Sequence, residues 1–185
     1  MTRPPPLEEA QLSPKQRQIF DEIRSGPRGV VEGPLRVWLQ SPGFAEPAQQ
    51  LGAFCRYGTR LEPRLSELAI IAVGAYWKSG FEWHVHAPIA ARAGVSNDVI
   101  EAIKSGAEPA FTKPDEQVIY RFTSELLLTR QISDQTYNSA VELLSVAGAV
   151  ELVGILGYYT LISMTINAFH VAVPDGSPEP FHTLP

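Results

Sequence analysis

The chain has 185 residues, of which 44% are hydrophobic, and a formal net charge of −5. This is enough apolar material for one core without disulfide or metal staples, so we predict a single domain over residues 1–185. Lysine and arginine form no basic stripe interleaved with aromatic residues, which argues against nucleic acid as a partner.

The single cysteine, Cys55, excludes an internal disulfide and any CxxC metal or redox site within one chain. We therefore expect a reducing compartment and predict a cytoplasmic protein. The N-terminus has no apolar segment typical of a secretory signal. Residues 147–169 approach membrane-spanning length, but Glu151 and Asn167 interrupt them. We interpret this segment as a core or subunit-interface helix and predict no membrane association.

Helix start and stop signals recur along the chain, and no alternation of period two is apparent, so we predict an all-α fold. Residues 1–12 form a proline-rich arm, which we expect to be extended and to lie on another subunit. Ser13, Pro14 and Gln16 are typical of a capped helix start. From Pro174 a tail, residues 174–185, should be loosely ordered. The predicted helices between arm and tail begin near residues 14, 34, 44, 63, 79, 96, 114, 133 and 148.

Titratable groups recur at a regular spacing within an apolar neighbourhood only between Ser79 and His86. In a helix, Glu82 and His86 stand at i and i+4 and share a face. Glu67 lies twelve residues before Ser79 in a strongly apolar run, where an unpaired carboxylate would be costly to bury. A carboxylate and an imidazole one turn apart can share a proton as acid and base. We therefore predict that the three side chains converge.

Other interpretations of this stretch remain open. Ser79 and Glu82 also fit a capping box, and Glu82 with His86 fits an ordinary surface pair. The two residues could also supply metal ligands together with Glu67, but the chain has only four histidines and no HExxH motif, so we predict no metal.

The spacing of Glu67, Ser79, Glu82 and His86 resembles the Glu-x11-Cys-x2-Cys-x3-His signature of alkylhydroperoxidase D-type proteins, with both cysteines replaced. Without the thiol pair, disulfide and peroxidase chemistry is not expected. The sequence is more similar to the carboxymuconolactone decarboxylase branch, which has Glu-x3-His and no redox cysteines. The segments that carry this resemblance are Arg64-Leu65-x-Glu67-Leu68-Ala69-Ile70, Phe81-Glu82-Trp83 with His86, and Ala90-x-x-Ala93-Gly94-Val95.

This resemblance implies the alkylhydroperoxidase D-like helical bundle, assembled as a homotrimer or homohexamer with sites near subunit interfaces. It also implies a cofactor-free decarboxylase for a small carboxylated lactone or aromatic-derived acid. His86 would be the general acid and base, Glu82 its proton partner and Glu67 a second carboxylate that orients it. Ser79 would be a cap or hydrogen-bonding group, and Trp83, with Trp38 or Tyr57, would wall the pocket. The alternative is a non-catalytic helical oligomer of the same superfamily.

Overall fold

The computed structural model describes residues 2–181, in which 71% of the protein is helical and no strand occurs. The all-α prediction is confirmed. Met1 of the predicted arm and residues 182–185 of the predicted tail lie outside the described residues. The eight α-helices of the described part are α1 (Pro14–Ser25), α2 (Pro34–Trp38), α3 (Pro42–Tyr57), α4 (Pro63–Tyr76), α5 (Gly80–Ala93), α6 (Asn97–Ser105), α7 (Pro114–Thr129) and α8 (Asp134–Phe169).

Local sequence signals account for most of the helix boundaries. The predicted capping box at the start of α1 is present, because the Ser13 hydroxyl and the Gln16 side chain each accept the other residue's backbone N–H. Ser96 and Ser133 cap α6 and α8 in the simpler way, through one side-chain acceptor each. Gly94 ends α5 in the left-handed conformation that glycine adopts without a steric penalty.

Helix α4 lies at the centre of the bundle and packs against α5, α7 and α8. Every residue from Leu65 to Gly74 is buried, so the helix is covered on all sides. Each Leu or Ile buried in this way contributes about 1.5 to 3 kcal/mol to folding. Glu67 is one of these buried residues, which places a carboxylate in the middle of the core.

Helix α8 is broken at Ser145, whose φ of 66° and ψ of 169° are not helical. The sequence predicts two helices separated here, and the break confirms it. By length and composition α8 is also the one helix of the described chain that could cross a membrane, although 33% of its most apolar window is buried in the fold. One face of the segment after Ser145 packs in the core, including Leu152, Ile155 and Ile162.

The described part of the N-terminal arm packs on its own chain, and contact of the arm with another subunit stays a prediction. The backbone N–H of Arg3 donates to the carbonyl of Phe169 at 2.8 Å. Arg36 donates to the carbonyl of Leu7 at 3.0 Å and also pairs with Glu9. The sequence pattern of the arm contains no signal for these long-range partners.

The tail is also better ordered than predicted, at least as far as residue 181. Phe181 is buried and packs edge-on against Trp83, with ring centroids 5.4 Å apart. The Glu179 carboxylate lies so close to Gly80 that a Cβ there would be 1.5 Å from Oε1. The tail therefore covers the first turn of α5, and a side chain at position 80 would displace the Glu179 carboxylate from this place.

Candidate active site

The site is built on the inner faces of α4 and α5. The first turn of α5 follows Ser79, whose hydroxyl makes no cap hydrogen bond and has no partner among the described residues. The capping box predicted for Ser79 and Glu82 is therefore wrong. Glu82 cannot reach back to the cap because its side chain points inward, where it meets His86.

The imidazole of His86 lies between two carboxylates. Its Nδ1–H donates to Glu67 Oε2 at 2.7 Å, and its Nε2 is 2.9 Å from Glu82 Oε1. The Glu82 oxygen lies off the direction of the ring N–H, so this second contact is an ion pair rather than an aligned hydrogen bond. All three side chains are buried. The convergence predicted from their spacing is confirmed, although this does not test their catalytic roles.

The surroundings of His86 act on its pKa in opposite directions. Burial disfavours the charged ring and would lower the pKa. The charges of Glu82 and Glu67 and the hydrogen bond to Glu67 outweigh burial and raise the pKa of His86 to about 9. At neutral pH the ring is therefore an imidazolium that donates from Nδ1 to Glu67 and has a Glu82 oxygen beside Nε2.

A cavity of about 130 Å³ opens in front of this cluster. His86 and Glu82 line it, whereas Glu67 lies behind the ring. A 150 Å³ cavity in another protein holds one benzene molecule, so this volume suits a single small ring. The other residues that line the cavity are Arg28, Val30, Glu32, Pro34, Leu35, Arg56, Phe81, Val85, Tyr158, Tyr159 and Ile162.

Tyr159 brings a second polar group, its hydroxyl, to the cavity beside His86. Its ring packs edge-on against the His86 ring, with centroids 5.1 Å apart, and its buried hydroxyl has no partner among the described residues. Burial, with the charge of Glu82, raises the pKa of Tyr159 well above its usual value, so the hydroxyl remains protonated. It is therefore available as a hydrogen-bond donor.

The other predicted site residues do not line this cavity. Ser79 is fully buried at the start of α5, and Trp83 faces the C-terminal tail. Trp38 instead donates from Nε1 to Thr165 Oγ1 at 3.0 Å, and Tyr57 is exposed. The aromatic walls come from Tyr158 and Tyr159, adjacent residues of α8. Tyr159 packs against the His86 ring, and Tyr158 packs edge-on against Tyr159.

The arrangement of Glu67, Glu82 and His86 does not suit a metal ion. Within residues 2–181, no group of three or more His, Cys, Asp or Glu side chains is arranged to hold a metal ion. Both ring nitrogens of His86 are already occupied by carboxylates, and a protonated imidazole has no lone pair to offer a metal.

The helical bundle and the inward-facing Glu, Glu and His define the class of protein: an alkylhydroperoxidase D-like fold in which Ser79 and Glu82 stand at the positions of the two redox cysteines. Residues 42–125 match the model of the carboxymuconolactone decarboxylase family, so this part of the chain is similar to that family. The match includes Glu67, Glu82 and His86 and leaves out α1, α2 and α8. No curated protein is similar enough in sequence to match the chain.

Two solved structures have the same fold. One is an uncharacterised peroxidase-related protein from Silicibacter sp. TM1040, with 11% identity, a TM-score of 0.72 and coverage of 92% of this chain and 93% of that one. The other is described as an alkylhydroperoxidase AhpD core, an uncharacterised peroxidase-related protein from Ralstonia eutropha JMP134. It has 15% identity, a TM-score of 0.74 and coverage of 94% and 93%. At these identities the likeness concerns the fold alone.

Proposed function

We propose that the protein is a cofactor-free decarboxylase, or a closely related proton-transfer enzyme, for a small carboxylated lactone or aromatic-derived acid. The observation that carries this proposal is the His86 imidazolium, which lines a ring-sized cavity and is held between two buried carboxylates. A buried acid with a strongly shifted pKa beside a cavity is typical of catalytic sites.

The reaction needs one proton from the protein. When the bond between the ring carbon and the carboxylate breaks, carbon dioxide leaves and the electron pair delocalises into a dienolate. The imidazolium of His86 gives its proton to the carbon that lost carbon dioxide, and His86 then takes a proton from solvent. Glu67 holds Nδ1 and orients the ring. Glu82 stabilises the imidazolium and, because it lines the cavity, can pass the proton between Nε2 and the substrate.

Thiol-based peroxide reduction has less support. Cys55 is the single cysteine, so no second thiol in the chain can resolve an oxidised one. Burial raises the pKa of the Cys55 thiol, with a smaller opposing effect of Arg28, and this lowers the fraction of reactive thiolate. Peroxidase activity that depends on Cys55 would contradict the proposed reaction.

The decisive experiment replaces His86 with Gln and measures carbon dioxide release from a panel of carboxylated lactones. Loss of an acid and base lowers turnover by about 100-fold or more. His84→Gln is the matched control, because His84 lies two residues away on α5 and does not line the cavity. In D2O the product should carry deuterium at the decarboxylated carbon, as read by NMR. Undiminished turnover in His86→Gln would remove His86 from the mechanism, and a wild-type protein inert to the whole panel would favour the non-catalytic alternative.

Further copies of this chain are the macromolecular partner that we propose, in a trimer or hexamer. The outer face of α8 exposes Val146, Val150, Val153 and Gly157, at the alternating four- and three-residue spacing of a helix–helix seam, and Met164, seven residues after Gly157. A lone protein rarely leaves such a stripe uncovered.

The size of the protein in solution tests this assembly. Light scattering of the wild type should give a mass of three or six chains, and Val150→Lys should lower it because a charge would be buried in the seam. Leu128→Lys, at an equally exposed apolar position on α7, should leave the mass unchanged. A monomeric wild type would refute the oligomer.

A further inference from the structure

Two arginines, Arg28 and Arg56, line the cavity beside His86, although no sequence pattern connects them with the site. Arg28 comes from the turn between α1 and α2, where Pro27 and Arg28 are the central residues and the N–H of Gly29 donates to the carbonyl of Gly26 at 3.2 Å. Arg56 comes from the last turn of α3. Both line the same cavity as His86 and Glu82. Arg28 also lies outside residues 42–125, so the family match does not include it.

Neither guanidinium has a charge partner. Within residues 2–181, no Asp or Glu oxygen lies within 4.0 Å of a nitrogen of Arg28 or Arg56, and this includes Glu32, which lines the cavity too. Arg36, Arg60 and Arg64, by contrast, each reach a carboxylate. Partly buried arginines without a counter-ion are unfavourable unless a ligand supplies one.

The available contacts of the two side chains are weak. Nη2 of Arg28 is 3.4 Å from the Tyr158 hydroxyl, and its Nε is buried without a partner in the described chain. The Arg56 guanidinium is 5.4 Å from the centroid of the Tyr57 ring. A guanidinium carries five N–H donors in a fork that matches a carboxylate. Most of these donors are therefore free to bind an anion.

The packing around Arg28 keeps it close to the cavity wall. A Cβ at position 52 would lie 2.6 Å from Arg28 Nη2 and 2.0 Å from the Tyr158 hydroxyl, so only glycine permits this approach. Burial raises the pKa of Tyr158 to about 12, and the positive charge of Arg28 opposes that rise. The charge of Arg28 is thus felt at the aromatic wall of the cavity.

The formal charges that line the cavity also favour an anion. Arg28, Arg56 and the His86 imidazolium carry three positive charges, while Glu32 and Glu82 carry two negative ones. The sum is one positive charge. The negative charges of Glu82 and of Glu67 behind it are concentrated at His86, which leaves the two arginines as the anion-attracting part of the lining.

We infer that Arg28 and Arg56 form a clamp for a carboxylate that the substrate keeps throughout the reaction. The inference rests on the proposed function for the reaction at His86. Binding of a carboxylate by the two arginines does not depend on that reaction. An arginine bound to the departing carboxylate would stabilise it before the bond breaks and slow its loss. The departing carboxylate therefore lies nearer Glu82, and the clamp binds a carboxylate that is present in both substrate and product.

The test measures binding of product-like acids by calorimetry. The probes are benzoate, 2-furoate and cyclopentanecarboxylate, each compared with its neutral amide. The wild type should bind at least one acid about tenfold more tightly than its amide, which corresponds to one charge-assisted hydrogen bond. Equal affinity for every acid and amide pair, or no binding of any acid, would overturn the clamp.

Substitution of each arginine tests whether the acids bind at Arg28 and Arg56. Arg28→Gln and Arg56→Gln should each weaken acid binding about tenfold and leave amide binding unchanged. Arg60→Gln is the matched control, since it makes the same charge change on an arginine paired with Glu151 outside the cavity. Arg28 contacts Tyr158, so circular dichroism checks that its variant is folded, and Arg56, which lies on another element, provides an independent reading. Unchanged acid affinity in folded Arg56→Gln would overturn the inference.

The His86→Gln variant separates this inference from the proposed function. It should still bind the acids within a few-fold of wild type while turnover is lost, because the clamp does not include the imidazole. Retained turnover with arginine-dependent acid binding would overturn the proposed role of His86 and support the clamp. Lost turnover with arginine-independent binding would overturn the clamp and support the role of His86.

Discussion

Helix α4 carries two ionic clusters three residues apart in sequence, and they differ in how their charges balance. Glu67 belongs to the site, where two carboxylates share one imidazolium and the sum is one negative charge. Arg64 belongs to a cluster with Asp115, Glu116 and Lys113, in which two positive and two negative charges cancel, and the solvent-exposed Glu62 lies at the edge of this cluster, 3.8 Å from Arg64. The balanced cluster ties α4 to α7. The unbalanced one borders a cavity and holds a titratable proton.

The two clusters also differ in how well their charged groups are aligned. Arg64 meets Asp115 through two nitrogens, at 3.2 Å and 2.5 Å, and its other short contact is to Glu116 at 2.7 Å. Such a forked pair fixes both partners. His86 makes one aligned hydrogen bond and one misaligned contact. A misaligned ion pair can exchange its proton or partner with less rearrangement, which is what a catalytic group needs and a structural one does not.

The largest expected effect comes from breaking the balanced cluster. Arg64→Met should lower the free energy of unfolding by about 4 kcal/mol, because it leaves the buried Glu116 with Lys113 as its remaining cation. Lys113→Met is the control and should cost about 1 kcal/mol or less, since Lys113 is exposed. Urea denaturation measures both. A cost for Arg64→Met no larger than that of the control would show that the cluster does not hold α4 to α7.

The unbalanced cluster should make the free energy of unfolding depend on pH. His86 has a pKa of about 9 in the folded protein and about 6.5 when unfolded, so it binds its proton more tightly in the folded state. Its stabilising contribution is complete below pH ~6.5 and is lost as the pH rises through about 9. The loss is about 3 kcal/mol by linkage.

Denaturation of the wild type and of His86→Gln at several pH values measures this contribution. The stability difference between the two proteins should shrink across that pH window, because Cys and Tyr titrations are common to both. An NMR titration of His86 gives the pKa directly. A pKa close to 6.5 would mean that the carboxylates do not hold the proton.

The smallest expected effect concerns Ser79. It tests whether Glu82 contacts His86 only or also takes part in a helix cap with Ser79. Ser79→Ala should change the free energy of unfolding by less than about 0.5 kcal/mol, because the hydroxyl makes no hydrogen bond. A working N-cap would cost about 1 kcal/mol when removed. A loss of that size in chemical denaturation would restore the capping box and weaken the assignment of Glu82 to His86.

Predictions that depended on neighbours in sequence were confirmed most fully. The box at Ser13 and the break at Ser145 each follow from a few adjacent residues, and the i,i+4 pair of Glu82 and His86 follows from helical period alone. Glu67 was connected to them because a carboxylate in an apolar helix needs a partner. The Ser79 box failed although its local pattern is as good as that at Ser13, because Glu82 has a stronger tertiary partner than the backbone.

The arginines and tyrosines of the cavity were missed for a different reason. Arg28, Arg56, Tyr158 and Tyr159 lie on three separate elements, and helical period gives the face of a residue but not which element it meets. One signal was present for Arg28, in a turn flanked by glycines, where a charged residue has no helical neighbour to pair with. The ordered tail was missed similarly, since Trp83 and Phe181 meet across almost the whole described chain.

The break at Ser145 has a consequence for how the sequence can diverge. Its backbone conformation is close to glycine-only space and costs about 1 to 3 kcal/mol in other residues, so the two parts of α8 do not behave as one rod. Before the break, Thr136 anchors the helix to Glu125 of α7; after it, Tyr158 and Tyr159 line the cavity. Changes in residues 134–144 can therefore accumulate without moving the cavity wall, whereas changes at Tyr158, Tyr159 or Ile162 alter which molecules fit.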